Sequence, residues 1–474
     1  MVQLRETGPV DTGFVAALGD WRARPGPRAR SLATAVREAV VDGRLPAGSR
    51  LPSERELARV LQLSRGTVVA ALTLLRDDGW LATRHGSGSV VRLPTRLTER
   101  TTPWSQDRGG APDADLDLTL AVTAAPHEAF RAALARAAER GAALLVDSGV
   151  TGAGLPRLRE LLAERYTRAG LATRSEQILV TAGAQAALTL LLDHLHTDRR
   201  SPVVVENPSY PGALAVLRAR RTRLLAVPVT APDGWDTDRL TDAVRRHSPR
   251  LAYLMPDFHN PTGAHMDGPT RRTIASLADR HGLTVLADET MRDLDLRRPP
   301  GTEPHLAGAR VIQIGSASKT LWSGLRVGWI RASADLVRQL RLNPLQAQLS
   351  PPPLEQLIAA ELLGAPLPDL LADRRDRLRA QRDHLVALLA PTGWTYTVPE
   401  GGLTLWLRLG EGTSATDLAA RAAARGLAVT PGPRFAADRT TLTRHLRLPF
   451  TATPETLTRA VGLLRACSGS PETA

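Results

Sequence analysis

Seven short apolar runs constrain this chain more than any other feature. They are "QILVTA", "SPVVVENP", "RLLAVPV", "LAYLMP", "LTVLADE", "RVIQIGS" and "VGWIRAS", spread over residues 177–333. Runs of this length, rich in Val, Leu and Ile and bounded by turn residues, read as buried strands. Helical patterns lie between most of them, and that alternation predicts an α/β fold on a mainly parallel sheet. In such sheets ligands bind beyond the carboxyl ends of the strands. The polar and Gly-rich segments stand there: "TAGAQAAL", "ENPSYPG", "MPDFHNPTG", "ADET" and "GSASK". Five such ends predict one composite site.

The last of these holds Lys319, the only lysine among 61 Lys and Arg residues. A GC-rich coding bias accounts for arginine replacing lysine elsewhere. It does not say why position 319 keeps an amine. A guanidinium stays protonated and cannot form a Schiff base with an aldehyde, whereas a desolvated lysine can. An amine beside Ser316 and Ser318, with Arg326 seven residues on, suits an aldehyde cofactor that carries a phosphate, namely pyridoxal 5′-phosphate (PLP). That cofactor also needs a carboxylate opposite its ring nitrogen. Asp288, closing the strand "LTVLAD", is the candidate. Taken singly, Asp288 could be a helix cap and Tyr210 a core aromatic. Arg447 has many arginine neighbours. The ordered set carries the reading.

The N-terminal region is organised differently. Residues 1–27 read as a poorly patterned arm. Over 28–93 three short helical patterns precede two β-prone runs around a Gly-rich turn. Leu32, Val36, Ala39 and Val40 share one face of the first. Ser53 and Glu56 form a capping box before Leu57, Val60 and Leu61. Ser64 can cap the third helix, whose first turn presents Arg65 and Thr67 and whose Val68, Leu72 and Leu75 face inward. These are the parts of a winged helix-turn-helix, whose third helix would enter the major groove by its N-terminal end. The segment holds 11 Arg against 6 Asp and Glu, more basic per residue than the rest of a chain of net charge +13. Such a balance fits a DNA-binding head and fits a solvated basic face equally well. Residues 94–117 read as a linker, and 118–474 as the body, with a large subdomain over about 170–340 and a small one over about 345–470.

Residues 28–93 resemble the GntR class of bacterial regulators, on "GRLPAGSRLPSERELA", "LSRGTVVAAL" and "DGWLATRHGSGSVV" in that order. The resemblance implies that Arg55, Ser64, Arg65 and Thr67 contact double-stranded DNA, with His85 and Gly86 in the wing. Arg55 also reads as one half of a helix-surface ion pair, and His85 as a plain turn residue. The body resembles the fold-type-I, aspartate aminotransferase-like PLP enzymes over roughly 118–465. That resemblance implies an internal aldimine at Lys319 and Asp288 on the pyridine nitrogen. It puts Asn260 on the ring hydroxyl and Tyr210 stacked on the ring. Gly183, Ala184, Gln185, Ser316, Ser318 and Arg326 would surround the phosphate, and Arg447 would hold an effector or substrate carboxylate.

A GntR-class head on an aminotransferase-like body is the layout of MocR-type regulators. It implies a head-to-tail homodimer whose hold on an operator changes when an amino-compound effector exchanges with Lys319. A catalytically active aminotransferase with an accessory head is the alternative. Three departures stand out. Thr290 sits where many relatives carry a tyrosine near the ring hydroxyl, Pro449 replaces a glycine, and Ser323 replaces a proline. The lone Cys467 excludes an intrachain disulfide and a multi-cysteine metal site, so no metal is expected. No apolar run is long enough to span a bilayer. "MVQLRETGPVDTGF" lacks a signal-peptide layout. The cytoplasm is the expected location.

Overall fold

A computed structural model describes residues 26–41, 51–84, 88–91, 115–146 and 152–468, apart from 197, 199, 232, 302, 365, 439 and 440. It also describes Phe14, Val15, Leu18 and residues 21–23 of the arm.

The head consists of helices Arg28–Val41, Glu54–Val60 and Arg65–Asp77, then strands β1 (Leu81–Arg84) and β2 (Gly88–Val91). The strands pair antiparallel, Leu81 facing Val91. Ser53 Oγ accepts the Glu56 N–H and Ser64 Oγ the Thr67 N–H, so each hydroxyl satisfies an N–H that the first turn leaves open. Leu32, Val36, Ala39, Leu57, Leu61, Val68, Leu72 and Leu75 form the core. Phe14, Leu18 and Trp21 join it from the segment that reads as an unpatterned arm. Their spacing of four and three is the helical period.

The body is built on an eight-stranded sheet in the order β4-β11-β10-β9-β8-β5-β6-β7. These are β4 (Ile178–Thr181), β5 (Val203–Asn207), β6 (Leu224–Thr230), β7 (Gly234–Trp235), β8 (Leu251–Leu254), β9 (Thr284–Asp288), β10 (Val311–Ser316) and β11 (Gly328–Arg331). All seven expected strands are present. β10, β9, β8, β5 and β6 run parallel. β11 is antiparallel to both its neighbours. Only residues 317–327 separate β10 from β11, too few for the crossover that a parallel neighbour requires. Alternate residues of each strand serve two cores. Val203, Val205 and Leu286 pack under helices Ala184–Leu195 and Pro211–Ala219. Val204, Val285 and Ala287 pack under Thr237–His247 and Gly268–His281.

A smaller sheet of β12 (Thr404–Arg408), β15 (His445–Pro449) and β14 (Thr430–Pro431) packs with helices Leu367–Leu389, Ala415–Ala423 and Pro454–Ser468. β3 (Leu116–Asp117) pairs parallel with β13 (Leu427–Ala428), and Leu116, Leu118 and Ala121 enter the same core. The last two residues of the span that reads as linker are therefore stitched into the small subdomain. A two-residue strand carries no period that the sequence could display. Among the described residues, no single helix is long and apolar enough to cross a membrane.

Candidate functional site

The carboxyl ends of β4, β5, β8, β9 and β10 face one side of the large sheet, and the expected groups stand there. Asp288 is the last residue of β9 and is 6 % exposed. Its Oδ2 accepts the Tyr253 hydroxyl at 2.5 Å, and its Oδ1 accepts the Thr290 N–H at 3.0 Å. Burial pushes the Asp288 carboxyl up from the ordinary carboxylate range, and these hydrogen bonds work against that. Lys319 lies in the short helix Ala317–Thr320 that leaves β10. Its Nζ is partly buried and donates to the Ala121 carbonyl at 2.7 Å. Burial is the main force that lowers its pKa to about 8. The Arg447 cation pushes the same way, and the Asp288 charge opposes them.

The residues expected around a phosphate form one rim. Gly183 caps helix Ala184–Leu195 at φ +87°, a left-handed value that favours glycine. A Cβ built there would sit 3.8 Å from the Arg326 guanidinium carbon, so Arg326 overlies that turn. A Cβ on Gly328 would lie 2.5 Å from the Gly183 carbonyl carbon. Glycine at both places lets β11 press against the helix start. Ser316 Oγ and Ser318 Oγ are 2.9 Å apart on the next strand end. Gln185 Nε2 is bonded to the Gly212 carbonyl, while its buried Oε1 has no hydrogen-bond partner. Amide N–H groups at a helix start, two hydroxyls and a guanidinium make a donor-rich set for a phosphate dianion. With an amine and a buried carboxylate beyond them, the residues fit PLP.

Tyr210 precedes helix Pro211–Ala219, next to Gln185 and Gly212. Its hydroxyl pKa is raised by burial and by the Asp288 charge. Arg447 sits on β15 opposite Trp406 of β12, its guanidinium 5.0 Å from the centre of the Phe435 ring. Burial draws it down to about 10. One amino group reaches Asn260 Oδ1 at 3.5 Å, another donates to the Thr119 carbonyl, and Nε is buried without a partner. Lys319, Asp288, Tyr210, Asn260 and Arg447 are thus brought to one place.

Several residues here were not singled out by their sequence context. Tyr253 lies inside an apolar strand and reads as core. Thr119 and Ala121 act through main-chain carbonyls, which no side-chain pattern reports. Arg374, 3 % exposed on helix Leu367–Leu389, donates to the Lys319, Leu321 and Ala124 carbonyls and to Thr123 Oγ1. It ties the Lys319 turn to the segment that supplies Thr119 and Ala121. Its neighbours in "DRRDRLRAQRD" give it no distinguishing mark.

In the head, Arg55, Ser64 and Arg65 are exposed and Thr67 is partly so. Ser64 Oγ is 2.8 Å from Thr67 Oγ1 as well as accepting the Thr67 N–H at 3.1 Å. Its hydroxyl is therefore occupied in holding the helix start, and Arg65 beside it is exposed. His85 and Gly86 lie outside the described residues.

Residues 118–464 match the family model "Aminotransferase class I and II", and residues 28–91 match "Bacterial regulatory proteins, gntR family". The 2-aminoadipate transaminase of Thermus thermophilus is 33% identical over 362 residues, covering 74% of this chain and 86% of that one. The HTH-type transcriptional regulator NorG of Staphylococcus aureus is 26% identical over 388 residues, covering 76% and 86%. Among solved structures, LysN, the alpha-aminoadipate aminotransferase of T. thermophilus complexed with N-(5′-phosphopyridoxyl)-L-leucine, superposes with a TM-score of 0.68 at 30% identity, covering 74% of this chain and 91% of that one. Kynurenine aminotransferase of Pyrococcus horikoshii, in complex with PMP, gives 0.69 at 25% identity, covering 77% and 93%. The cofactor is pyridoxal 5′-phosphate. The chain belongs to the aminotransferase class I and II family and, with its gntR-family head, has the architecture of a MocR-type DNA-binding regulator.

Proposed function

We propose that the body senses an amino compound through exchange at Lys319 and passes the result to the DNA-binding head. The placement of the Lys319 amine carries this reading: it lies among Asp288, Arg447 and the Ser316–Arg326 rim, and burial lowers its pKa to about 8. When bound, the cofactor supplies an aldehyde that an amine can capture and a ring that withdraws electrons. Lys319 would attach it, Asp288 hold the ring nitrogen, Asn260 meet the ring hydroxyl and Tyr210 cover the ring face. Gly183, Ala184, Gln185, Ser316, Ser318 and Arg326 would take the phosphate. The effector's amine would replace Lys319, with its carboxylate on Arg447. Arg55, Ser64, Arg65 and Thr67, with His85 and Gly86, would hold the operator, Arg65 being exposed in the first turn of the third helix. An effector changes DNA binding only by the difference in its affinity for the two states of the protein.

A head-to-tail homodimer in the cytoplasm fits this reading. Leu145 is 85% exposed, Val146 is 91% exposed, and Leu134 and Leu354 are also out in solvent. Large apolar side chains in that number favour a covered face.

The test is borohydride reduction of the purified protein followed by peptide mapping, then operator titration with and without candidate amino acids. A pyridoxyl group on Lys319 and an effector-dependent operator affinity are expected. No adduct, or an affinity indifferent to every amino compound, refutes the reading. A working aminotransferase is the second reading, favoured by the complete set of Lys319, Asp288, Asn260, Tyr210 and Arg447 in one place. Sustained turnover of an amino donor with a 2-oxo acceptor would establish it, while single half-reactions would not.

A further inference from the structure

We propose that Tyr253 and Thr290 are positioning residues that keep the Asp288 carboxylate ionised and aimed at the cofactor's ring nitrogen. This rests on the reading of Asp288 as the partner of that nitrogen.

A carboxyl closed off from water at the end of a buried strand favours its neutral form. A neutral acid cannot hold a protonated ring nitrogen as an ion pair. Asp288 needs compensation, and among the described residues no cationic side chain forms a salt bridge with it. The fully buried Glu206 adds a charge of the wrong sign. Donors supply what cations do not. The Tyr253 hydroxyl reaches Oδ2 at 2.5 Å. Thr290 closes on the carboxylate with its N–H, at 3.0 Å from Oδ1, and with its side chain.

The two donors are held by different means. Tyr253 lies on β8 opposite Leu286 of β9, the strand that ends in Asp288, so donor and acceptor ride on adjacent strands. It belongs to the same buried cluster as Met255, Leu286 and Ile314, and it stays protonated, because burial and the Asp288 charge both push its hydroxyl well above 10. Thr290 approaches from the turn beyond β9. By the family resemblance a tyrosine near the ring hydroxyl stands at that position, whereas here a threonine faces the carboxylate. The site has one donor fewer for the cofactor ring and one more for Asp288.

The experiment compares wild type, Tyr253→Phe and Thr290→Val, each loaded with PLP. It reads the pH midpoint of the bound cofactor's visible absorbance and the rate of cofactor release. Without the phenol the carboxylate is more basic and would draw the shared proton away from the ring nitrogen, which leaves the ring less positive and raises the proton affinity of the groups conjugated to it. The midpoint should rise by about one unit in Tyr253→Phe, about tenfold in proton affinity. The shift should be smaller in Thr290→Val, whose main-chain N–H remains. If both variants load and titrate and release as wild type does, the proposal is wrong, whatever happens to their melting temperatures. If Tyr253→Phe does not fold, Thr290→Val decides by the same criterion. Borohydride mapping of wild type separates the two levels. No adduct on Lys319 sinks the cofactor reading and this one with it, whereas an adduct with unmoved midpoints sinks this one alone.

Discussion

The lowered pKa of Lys319 makes a quantitative demand on how fast the cofactor-free protein captures PLP. With a pKa of about 8, roughly a quarter of the molecules carry a neutral amine at pH 7.5, against about one in a thousand for an ordinary lysine. The capture rate should therefore rise about tenfold per pH unit up to about pH 8 and then level off, whereas an ordinary lysine keeps gaining to beyond pH 10. Stopped-flow absorbance with PLP in excess measures it. Lys319→Arg supplies the background, because that variant retains no ε-amine and only the α-amine can react. The causes predict opposite moves in two further variants. Arg447→Met removes a cation that disfavours the ammonium, so the midpoint should rise. Asp288→Asn removes an anion that favours it, so the midpoint should fall. A profile still climbing at pH 10, or one unmoved in both variants, would refute an amine tuned by burial and those two charges.

Three other outcomes follow from the geometry. Arg65→Ala should weaken operator binding by about 1–3 kcal/mol if the guanidinium reads a base edge, with the cofactor absorbance untouched; fluorescence anisotropy at several salt concentrations checks both. Gly328→Ala places a methyl 2.5 Å from the Gly183 carbonyl carbon. Main chain cannot swing aside as a side chain can, so PLP retention on gel filtration should fall more than overall helicity does. Arg374→Met leaves the Lys319, Leu321 and Ala124 carbonyls without this donor. Thr123 still reaches the Lys319 carbonyl and only the Leu321 contact is fully buried, so a loss of about 1–3 kcal/mol is expected in urea unfolding.

The parts legible in the sequence are those with a period or a residue chemistry that admits few alternatives. The seven strands could be read because each is a short, largely apolar run bounded by turn residues, as strands of a sheet covered on both faces are. Lys319 could be read because an amine and a guanidinium differ in what they can bond covalently. Gly183 and Asp288 could be placed because they sit at strand ends, where the fold puts ligands. The arm residues Phe14, Leu18 and Trp21 had a helical spacing, but three apolar positions among Gly, Pro and charge do not separate a packed turn from chance. β11's direction was also open: its composition matches its neighbours', and only the shortness of residues 317–327 decides that it must double back.

What could not be read is how the site's residues are held. Tyr253 in "LAYLMP" looks the same whether its hydroxyl meets water, a main-chain carbonyl or Asp288. Its partner lies 35 residues away on the neighbouring strand, and the pairing register of β8 with β9 is what brings the two together. Arg374 meets the Lys319 carbonyl across 55 residues and Thr123 across 251. Arg447 and Thr119 are 328 apart. Contacts of this kind involve a main-chain carbonyl or a lone hydroxyl, and neither leaves a spacing in the sequence. The chemistry of the site is therefore written in residue types at strand ends. The control of that chemistry lies in long-range contacts: whether Asp288 stays charged, how readily Lys319 gives up its proton, and whether the segment leaving the linker stays pinned over both.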